Sequence, residues 1–267
     1  MNTVDFAKKM RRLILDEIYY AQSGHPGGSL SVTDILAYLY NEEMNVSADK
    51  ADDPDRDRLV LSKGHACPAL YAALALKGYI PEKDLKTFRS IDSYLEGHPD
   101  MKKIKGVDMS SGSLGQGISA ACGMALVGKK EKRPYRVFAI LGDGELEEGQ
   151  VWEALMFAGH YGLENLIVIV DHNDLQIDGK IDDVMNPKPF NKKFEDFGFN
   201  VIETDGENQY FIKKAFDWVR EHKDGRPSVI ISHSTKGSGI SFMEGDPSWH
   251  GKAPNKEEYE KAIKEVE

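Results

Sequence analysis

The sequence predicts an α/β fold with a doubly wound, mostly parallel sheet and helices on both faces. From Gly112 onward, short apolar runs alternate regularly with helix-like segments. Runs that are apolar on both faces are typical of strands in a parallel sheet that is covered on both sides. No internal repeat and no shift in composition divides the chain, so the sequence predicts a single domain over residues 1–267.

The N-terminal part is predicted to contribute two helices, a strand and a third helix. Apolar residues from Val4 to Ile18 recur at three- and four-residue steps, which predicts an amphipathic helix that the segment SGHPGGS ends. A second helix is expected to begin near Ser31, with Ser31 and Asp34 in capping positions. RLVLS is predicted to form a buried strand, and ACPALYAALALKG a helix that ends at Gly78.

The remaining predicted elements follow the alternation. The helices are GISAACGMALVG, VWEALMFAGHYG and QYFIKKAFDWVREH, and the strands are YRVFAIL, NLIVIV, SVIISH and the weaker FNVIET. The segment KEEYEKAIKEV, within residues 255–267, is predicted to form a C-terminal tail helix.

The composition is that of a water-soluble globular protein. Its 40% hydrophobic content can supply a core, and no apolar stretch reaches the roughly 18 residues of a membrane span. The net charge of −10 argues against a nucleic-acid partner, because phosphates would repel the chain. Cys67 and Cys122 lie outside any CxxC pattern, and the first residues do not resemble a signal peptide. We therefore expect a cytoplasmic protein with no membrane and no nucleic-acid partner.

Two polar segments follow successive predicted strands, GDG after YRVFAIL and DHN after NLIVIV. Ligands bind outside the carboxyl ends of strands in an open parallel sheet, and a crossover helix returns the chain to the same edge. Asp143 and Asn173 are therefore expected to face one point. Their oxygens suit Mg²⁺ or Ca²⁺, and Gly142 and Gly144 let the backbone approach a phosphate. GDG alone also fits an ordinary turn, but its pairing with Asn173 favours a metal and phosphate site.

Four of the eight histidines stand beside glycine in turn-like segments: His25, His65, His98 and His250. A single loop histidine is more often a surface residue. Four of them in glycine-lined loops, together with a metal and phosphate site, indicate a polar pocket for a sugar-like substrate.

The motifs and their order resemble the transketolase family of thiamine diphosphate (ThDP) enzymes. GDG followed about thirty residues later by Asn resembles the ThDP motif. The segments similar to transketolases cover roughly residues 10–255 and are SGHPGG, SKGHACPALYA, EGHPD, SSGSLGQGISAACGMA, VDHNDLQIDG, STKGSG and SWHGK.

The resemblance implies roles for individual residues. It implies that the side chains of Asp143 and Asn173 and the carbonyl of Leu175 are ligands of Mg²⁺, which Ca²⁺ or Mn²⁺ can replace. The residues it implies near the diphosphate and the reacting centre are Gly144, His65, His250 and Lys236. Those it implies against the cofactor rings are Gly112, Leu114 and Ile177, and those it implies at the sugar hydroxyls are His25 and His98. Glu148 matches a glutamate at the family's subunit contact.

The resemblance also implies a partner chain. The family's single chains hold ThDP between a diphosphate-binding domain and a pyrimidine-binding domain, and this chain resembles only the first. It is therefore predicted to be the N-terminal subunit of a split transketolase, needing a C-terminal subunit in an α2β2 assembly. The implied activity is transfer of a two-carbon ketol unit from a ketose phosphate, such as xylulose 5-phosphate, to an aldose phosphate, in the pentose phosphate pathway or a specialised one.

Other interpretations stay open at this point. GDG and Asn also fit the α subunit of a 2-oxo acid dehydrogenase or a synthase of the 1-deoxyxylulose phosphate type. The two Gly-His-Pro segments, SLGQG and SWHGK favour a transketolase. A regulatory module that kept the fold and lost catalysis is a further alternative, against which stands the presence of every recognisable motif residue.

Overall fold

The computed structural model describes all 267 residues and contains ten α-helices and seven strands. In chain order the helices are α1 (Thr3–Ala21), α2 (Pro26–Ser31), α3 (Thr33–Tyr38), α4 (Cys67–Leu76), α5 (Gln116–Lys130), α6 (Gly149–His160), α7 (Ile181–Val184), α8 (Phe190–Asp196), α9 (Gln209–Glu221) and α10 (Lys256–Val266). The strands are β1 (Arg58–Leu61), β2 (Val137–Gly142), β3 (Leu166–His172), β4 (Leu175–Gln176), β5 (Gly179–Lys180), β6 (Asn200–Asp205) and β7 (Ser228–His233).

Five strands form one parallel sheet in the order β1-β2-β3-β7-β6. The short strands β4 and β5 form a separate antiparallel pair directly after β3. All five predicted strands are present, and the weaker FNVIET is the edge strand β6. The predicted fold class is therefore confirmed.

Side chains along each central strand alternate between two hydrophobic cores on opposite faces of the sheet. In β2, Phe138 and Ile140 belong to one core, whereas Val137, Ala139 and Leu141 belong to the other. The first core also contains residues of α1, α3, α4, α9 and α10, and the second contains residues of α5, α6 and α8. Helices therefore cover both faces, which explains why the central strands are apolar on both sides.

A short helix that the sequence did not predict, α2, precedes the helix that was expected near Ser31. Pro26 occupies the first turn of α2, where its fixed φ and missing N–H suit a helix start. The predicted helix is α3, which begins at Thr33, two residues after Ser31, but neither Ser31 nor Asp34 makes a capping hydrogen bond, so the expected capping roles were wrong. Ser31 instead lies at the end of α2, and its Oγ donates a hydrogen bond to Asp171 Oδ2 over 2.6 Å. A tertiary contact uses the hydroxyl that the sequence pattern suggested as a cap.

The tail helix α10 forms as predicted and packs on α1. A capping box between Asn255 and Glu258 begins it, which satisfies two backbone N–H groups at the helix start. Tyr259 stacks on Tyr19 of α1 with ring centroids 4.0 Å apart, and Ile263 is buried. The last helix is thereby part of the first core.

Cys67 and Cys122 are both buried and free. Burial raises the pKa of each thiol, which keeps both protonated and unreactive near neutral pH. None of the helices combines the length and the apolar character that crossing a lipid bilayer requires.

Candidate functional site

The candidate site begins at the carboxyl ends of β2 and β3. These strands are parallel neighbours, with Gly142 paired to Asp171. The Asp143 carboxylate therefore reaches the turn after β3, where its Oδ2 accepts hydrogen bonds from the backbone N–H groups of Asn173 (2.9 Å) and Asp174 (2.6 Å). The structure brings Asp143 and Asn173 together, because α6 connects adjacent strands.

The Asp143 carboxyl lies in a setting that disfavours its charged form. Burial, together with the neighbouring Asp171 carboxylate, raises the pKa of Asp143 to about 7, although three backbone hydrogen bonds oppose this. Only 2% of the residue is exposed. A cation close to this carboxylate would offset the cost of burying its charge.

A buried ion pair lies directly behind Asn173. Lys63 Nζ is 2.5 Å from Asp171 Oδ2, and Ser31 and Ser234 each donate a hydrogen bond of 2.6 Å to the same carboxylate. Asn173 Nδ2 donates to Asp171 Oδ2 over 3.1 Å. Although burial acts to raise the pKa of Asp171, the Lys63 ammonium and these hydrogen bonds hold it below its ordinary value. Asp171 is thus a charged acceptor that orients the Asn173 amide, whose oxygen accepts a hydrogen bond from the Leu175 N–H over 3.2 Å.

A cavity of about 260 Å³ opens above these two strand ends. Sixteen residues from several separate segments of the chain line it, and only three of them are hydrophobic. Twelve predicted site residues line it: His25, His65, Gly112, Leu114, Gly142, Asp143, Gly144, Asn173, Leu175, Ile177, Lys236 and His250. The other lining residues are Gly28, Lys63, Glu145 and Gln176.

Three imidazoles form a triangle in the wall of this cavity. The ring centroids of His25, His65 and His250 are 5.2 to 5.5 Å apart. Burial lowers the pKa of His25 to about 4 and that of His250 to about 3, and it holds the pKa of His65 well below its ordinary value. The three rings are therefore neutral at pH 7, when each can donate one hydrogen bond and accept another.

Lys236 connects the imidazole triangle with the metal-ligand candidates. Its Nζ lies 2.9 Å from His250 Nδ1 and donates to the Leu175 carbonyl over 3.1 Å. Burial lowers the pKa of Lys236 to about 8, against the opposing effect of Asp143. A mostly protonated ammonium therefore faces the cavity at neutral pH, beside groups that suit an anionic ligand.

Two predicted site residues lie outside this cavity. His98 packs against Gly112, where an added Cβ would lie 3.1 Å from His98 Cδ2, and it lines a separate, more open cavity. Glu148 is exposed at the N-terminus of α6, and its Cβ would lie 2.9 Å from a Cβ on Gly115. His98 therefore borders the main cavity across the Gly112 backbone, whereas Glu148 packs on Gly115 and does not line the cavity.

Glu145 is a buried site residue that sequence reasoning missed. Its carboxylate accepts hydrogen bonds from the N–H groups of Gly115 (2.8 Å) and Gly142 (3.1 Å) and from the Ser62 hydroxyl. It thereby ties the GDG turn to the SGSLGQG loop. The sequence does offer one signal for Glu145, since it is a second acidic residue only two positions after Asp143.

Lys63 and Gln176 were missed for a different reason, and Asp171 was recognised only as part of the polar DHN segment. Each stands within two positions of a predicted residue in the sequence, and none has a recognised spacing of its own. Lys63 follows β1 and Asp171 lies near the end of β3, and only the assembled sheet brings them together across 108 positions of the chain.

The oxygen atoms at this edge suit a small divalent cation. The Asp143 carboxylate, the Asn173 amide oxygen and the Leu175 carbonyl are hard donors, and Mg²⁺ takes its other ligands from water and phosphate. The chain has no group of three or more His, Cys, Asp or Glu side chains arranged to hold a metal ion. A cation at this edge would complete its coordination with oxygens from water and from a bound phosphate.

Comparison with known proteins identifies the family to which the chain is similar. The profile described as "Transketolase, thiamine diphosphate binding domain" matches residues 3–266. The chain is 44% identical over 261 residues to a 6-deoxy-6-sulfo-D-fructose transketolase subunit of Clostridium sp. (strain MSTE9), with 98% of this chain and 94% of that one aligned. It is 41% identical to one of the subunits of the apulose-4-phosphate transketolase of Actinobacillus succinogenes, with 97% and 94% aligned.

Solved structures agree with these sequence relatives. Transketolase from Campylobacter jejuni superposes with a TM-score of 0.94 at 34% identity, covering 100% of this chain and 43% of that one. Transketolase from Leishmania mexicana gives a TM-score of 0.93 at 33% identity, covering 100% and 41%. The chain thus spans nearly the whole length of the subunit relatives and about two fifths of these solved chains.

Proposed function

The chain belongs to the transketolase family, and from this membership and its cavity we propose that it is the diphosphate-binding, N-terminal subunit of a two-chain transketolase. The observation that carries the proposal is the cavity at the ends of β2 and β3. There Asp143, Asn173 and Lys236 face the same space as three neutral imidazoles. We propose that residues 1–267 form one domain and act in the cytoplasm.

ThDP is the cofactor of the matching domain family, and the residues present suit its diphosphate end. We propose that Asp143, Asn173 and the Leu175 carbonyl hold Mg²⁺. The raised pKa of Asp143 supports this assignment, because a divalent cation would compensate the buried carboxylate.

We propose that the other lining residues divide between the two ends of ThDP. Gly142 and Gly144 offer backbone at the diphosphate end, and Lys236 supplies a positive charge there. Glu148, exposed at the N-terminus of α6, is proposed to lie at a subunit contact. The residues proposed to contact the diphosphate or the reacting centre are His65 and His250, and those proposed to pack against the rings are Gly112, Leu114 and Ile177.

The proposed reaction is transfer of a two-carbon ketol unit from a ketose phosphate to an aldose phosphate. When bound, ThDP supplies the nucleophilic carbon and the electron sink for cleaving the carbon–carbon bond. The chain's own contribution is to orient the sugar and to move protons. His25 and His98 are proposed to hold sugar hydroxyls. The neutral His65 and His250 can accept a hydroxyl proton and return it, because neither carries a fixed charge at pH 7.

A partner chain is implied because the aligned relatives are named as transketolase subunits. We propose that the partner is a C-terminal subunit with the pyrimidine-binding domain, and that the assembly is α2β2. That partner would supply the glutamate that hydrogen-bonds the aminopyrimidine ring. It would also close the cavity over Leu114 and Ile177, since Ile177 is 67% exposed in this chain.

The sugar substrate is proposed only as a class. The aligned relatives are named for 6-deoxy-6-sulfo-D-fructose and for apulose 4-phosphate, so xylulose 5-phosphate is one candidate donor among several. A place in the pentose phosphate pathway and a place in a specialised sugar pathway are both compatible with this class.

The test is ketol transfer by the chain co-purified with its candidate C-terminal partner. With ThDP and Mg²⁺ we expect transfer from at least one ketose donor among xylulose 5-phosphate, 6-deoxy-6-sulfo-D-fructose and apulose 4-phosphate. Neither chain should be active without the other, and the assembly carrying Asp143→Ala should be inactive. Decarboxylation of pyruvate without any ketol transfer, or full activity of the single chain, would refute the proposal.

A further inference from the structure

Phe88 and Arg89 lie between the two Gly-His-Pro segments of the chain. Arg89 has a left-handed backbone, with φ at 59°, which is uncommon for a residue other than glycine. Its N–H donates to the Leu95 carbonyl over 2.8 Å. This turn aims the Arg89 side chain at the loops that carry His25 and His98.

Arg89 contacts both histidine loops directly. Its Nη1 donates a hydrogen bond of 2.8 Å to Ser23 Oγ, two residues before His25. A Cβ added to Gly97 would lie 2.7 to 2.8 Å from Nε, Cζ and Nη2 of Arg89. The guanidinium therefore rests on the Gly97 backbone, immediately before His98, and leaves no room for a side chain there.

Phe88 contacts the glycine of the other Gly-His-Pro segment. A Cβ on Gly24 would lie 3.4 Å from Phe88 Cε1 and 2.8 Å from Ile18 Cγ1. Phe88 thus packs against the glycine of one motif, and the next residue, Arg89, packs against the glycine of the other. This contact gives a physical reason for glycine before both histidines.

The Arg89 charge acts on the same two imidazoles. Burial is the largest cause that lowers the pKa of His25, and the Arg89 charge is the second largest. Arg89 is also the one charged group that lowers the pKa of His98. Arg89 Nε is itself buried without a hydrogen-bond partner, and an unpaired buried donor in a folded protein calls for an explanation. Packing on Gly97 leaves Arg89 Nε without a hydrogen bond, but it holds the guanidinium where it contacts both the His25 loop and the His98 loop.

We propose that Arg89 is a positioning residue for substrate binding, whose guanidinium joins the His25 loop to the His98 loop and so sets the spacing of the two imidazoles. The inference rests on the proposed function, in which these imidazoles hold sugar hydroxyls. It assigns Arg89 no contact with the substrate and no part in holding ThDP.

The test compares four variants of the assembled enzyme. Arg89→Met removes both charge and hydrogen bond, Arg89→Lys keeps the charge, and Gly97→Ala displaces the guanidinium while Arg89 is retained. Arg226→Met is the control, because Arg226 is exposed and paired with Asp224 far from these loops.

We expect Arg89→Met and Gly97→Ala to lower kcat/KM for the ketose donor by about 10- to 100-fold, since misplacing a positioned group by about 1 Å can cost roughly 100-fold. Affinity for ThDP should stay within about twofold. Arg89→Lys should recover only part of kcat/KM, because an ammonium cannot reproduce the planar fork. A fall in ThDP affinity equal to the fall in kcat/KM would indicate general damage and overturn the proposal, as would unchanged kcat/KM in both main variants.

The pH dependence provides a second readout, in which Arg89→Lys separates the charge of Arg89 from the burial that also lowers the pKa of His25 and His98, because it keeps the charge and loses the planar packing. His25 faces His65, His250, His98, Lys236 and Arg89. Removing the Arg89 charge should raise the pKa of His25 and His98, so the acidic limb of the kcat/KM profile should move to higher pH in Arg89→Met. It should stay in place in Arg89→Lys and in Arg226→Met.

Failure of the inference can be told apart from failure of the proposed function. If the wild-type assembly transfers no ketol unit from any donor, the function is wrong. The same preparations can then be titrated by NMR of histidine Cε1 signals. Unchanged imidazole pKa values in Arg89→Met would overturn the inference, and a rise confined to two histidines would support it.

Discussion

Replacing Asp143 by asparagine should stabilise the cofactor-free protein at pH 8 and abolish its stabilisation by Mg²⁺ and ThDP. Burial raises the pKa of Asp143 from its ordinary 3.8 to about 7. The stability contributed by the protonated carboxyl is therefore fully present below pH 3.8 and lost as pH rises through 7. At about 1.4 kcal/mol per pH unit, the charged form costs the folded state about 4 kcal/mol at pH 8.

Lost hydrogen bonds reduce that gain. The backbone N–H groups of Gly144, Asn173 and Asp174 all donate to the Asp143 carboxylate. An amide has only one oxygen, so asparagine leaves at least one of these donors unpaired, which costs about 1–3 kcal/mol. The net effect expected for Asp143→Asn at pH 8 is a gain of about 1–3 kcal/mol, which falls with pH and becomes a loss of about 1–3 kcal/mol below pH 4, where only the lost hydrogen bond remains.

Binding of Mg²⁺ and ThDP should make the wild type more stable than the Asp143→Asn variant at pH 8. At a ligand concentration 100 times its Kd, binding stabilises a folded protein by about 2.7 kcal/mol. For a domain of this size that corresponds to a rise in Tm of roughly 5–10 °C. The asparagine variant lacks the carboxylate that we propose as the anionic ligand, so we expect its Tm to be unchanged by the same addition.

Thermal unfolding of the assembled protein at pH 5 and pH 8, with and without Mg²⁺ and ThDP, measures all of these quantities. The same scans on Asp171→Asn separate a general effect of removing a buried carboxylate from an effect specific to Asp143. Two results would refute the reasoning: an asparagine variant that Mg²⁺ and ThDP stabilise as much as the wild type, or one that is less stable than the wild type at pH 8 without ligand.

Three further predictions concern other parts of the site. Lys63→Met should destabilise the protein by about 3–5 kcal/mol, because it leaves Asp171 as an unpaired buried charge; Lys63→Met combined with Asp171→Leu should recover most of this loss in chemical denaturation. His98→Ala should leave ThDP affinity within about twofold and lower kcat, since His98 lines a separate cavity; titration calorimetry beside steady-state kinetics measures both, and a matching loss of affinity would contradict it. Gly64→Ala should lower stability by about 1–3 kcal/mol, because the added Cβ would lie 2.8 Å from the Ser111 carbonyl carbon; an unchanged Tm would show that the Ser111 loop yields.

The strand order near the site was predictable because of a local rule. A strand, a crossover helix and a second parallel strand need about thirty residues, which is the separation of Asp143 and Asn173. The alternation of apolar runs therefore predicted the meeting of these residues without any knowledge of the rest of the sheet. The absence of a cap at Ser31 was not predictable in the same way, since serine is a common capping residue but the Ser31 hydroxyl donates to the distant Asp171 carboxylate.

The sequence by itself determined the α/β class and the five strands, and the resemblance of its motifs to transketolases implied most of the residues that line the cavity. Periodicity and glycine spacing are local properties, and they act over a few turns of chain. The tertiary structure decided the charges of the site: the Lys63–Asp171 pair, the raised pKa of Asp143 and the neutral imidazoles. Those properties depend on burial and on contacts between distant segments, which no local pattern contains.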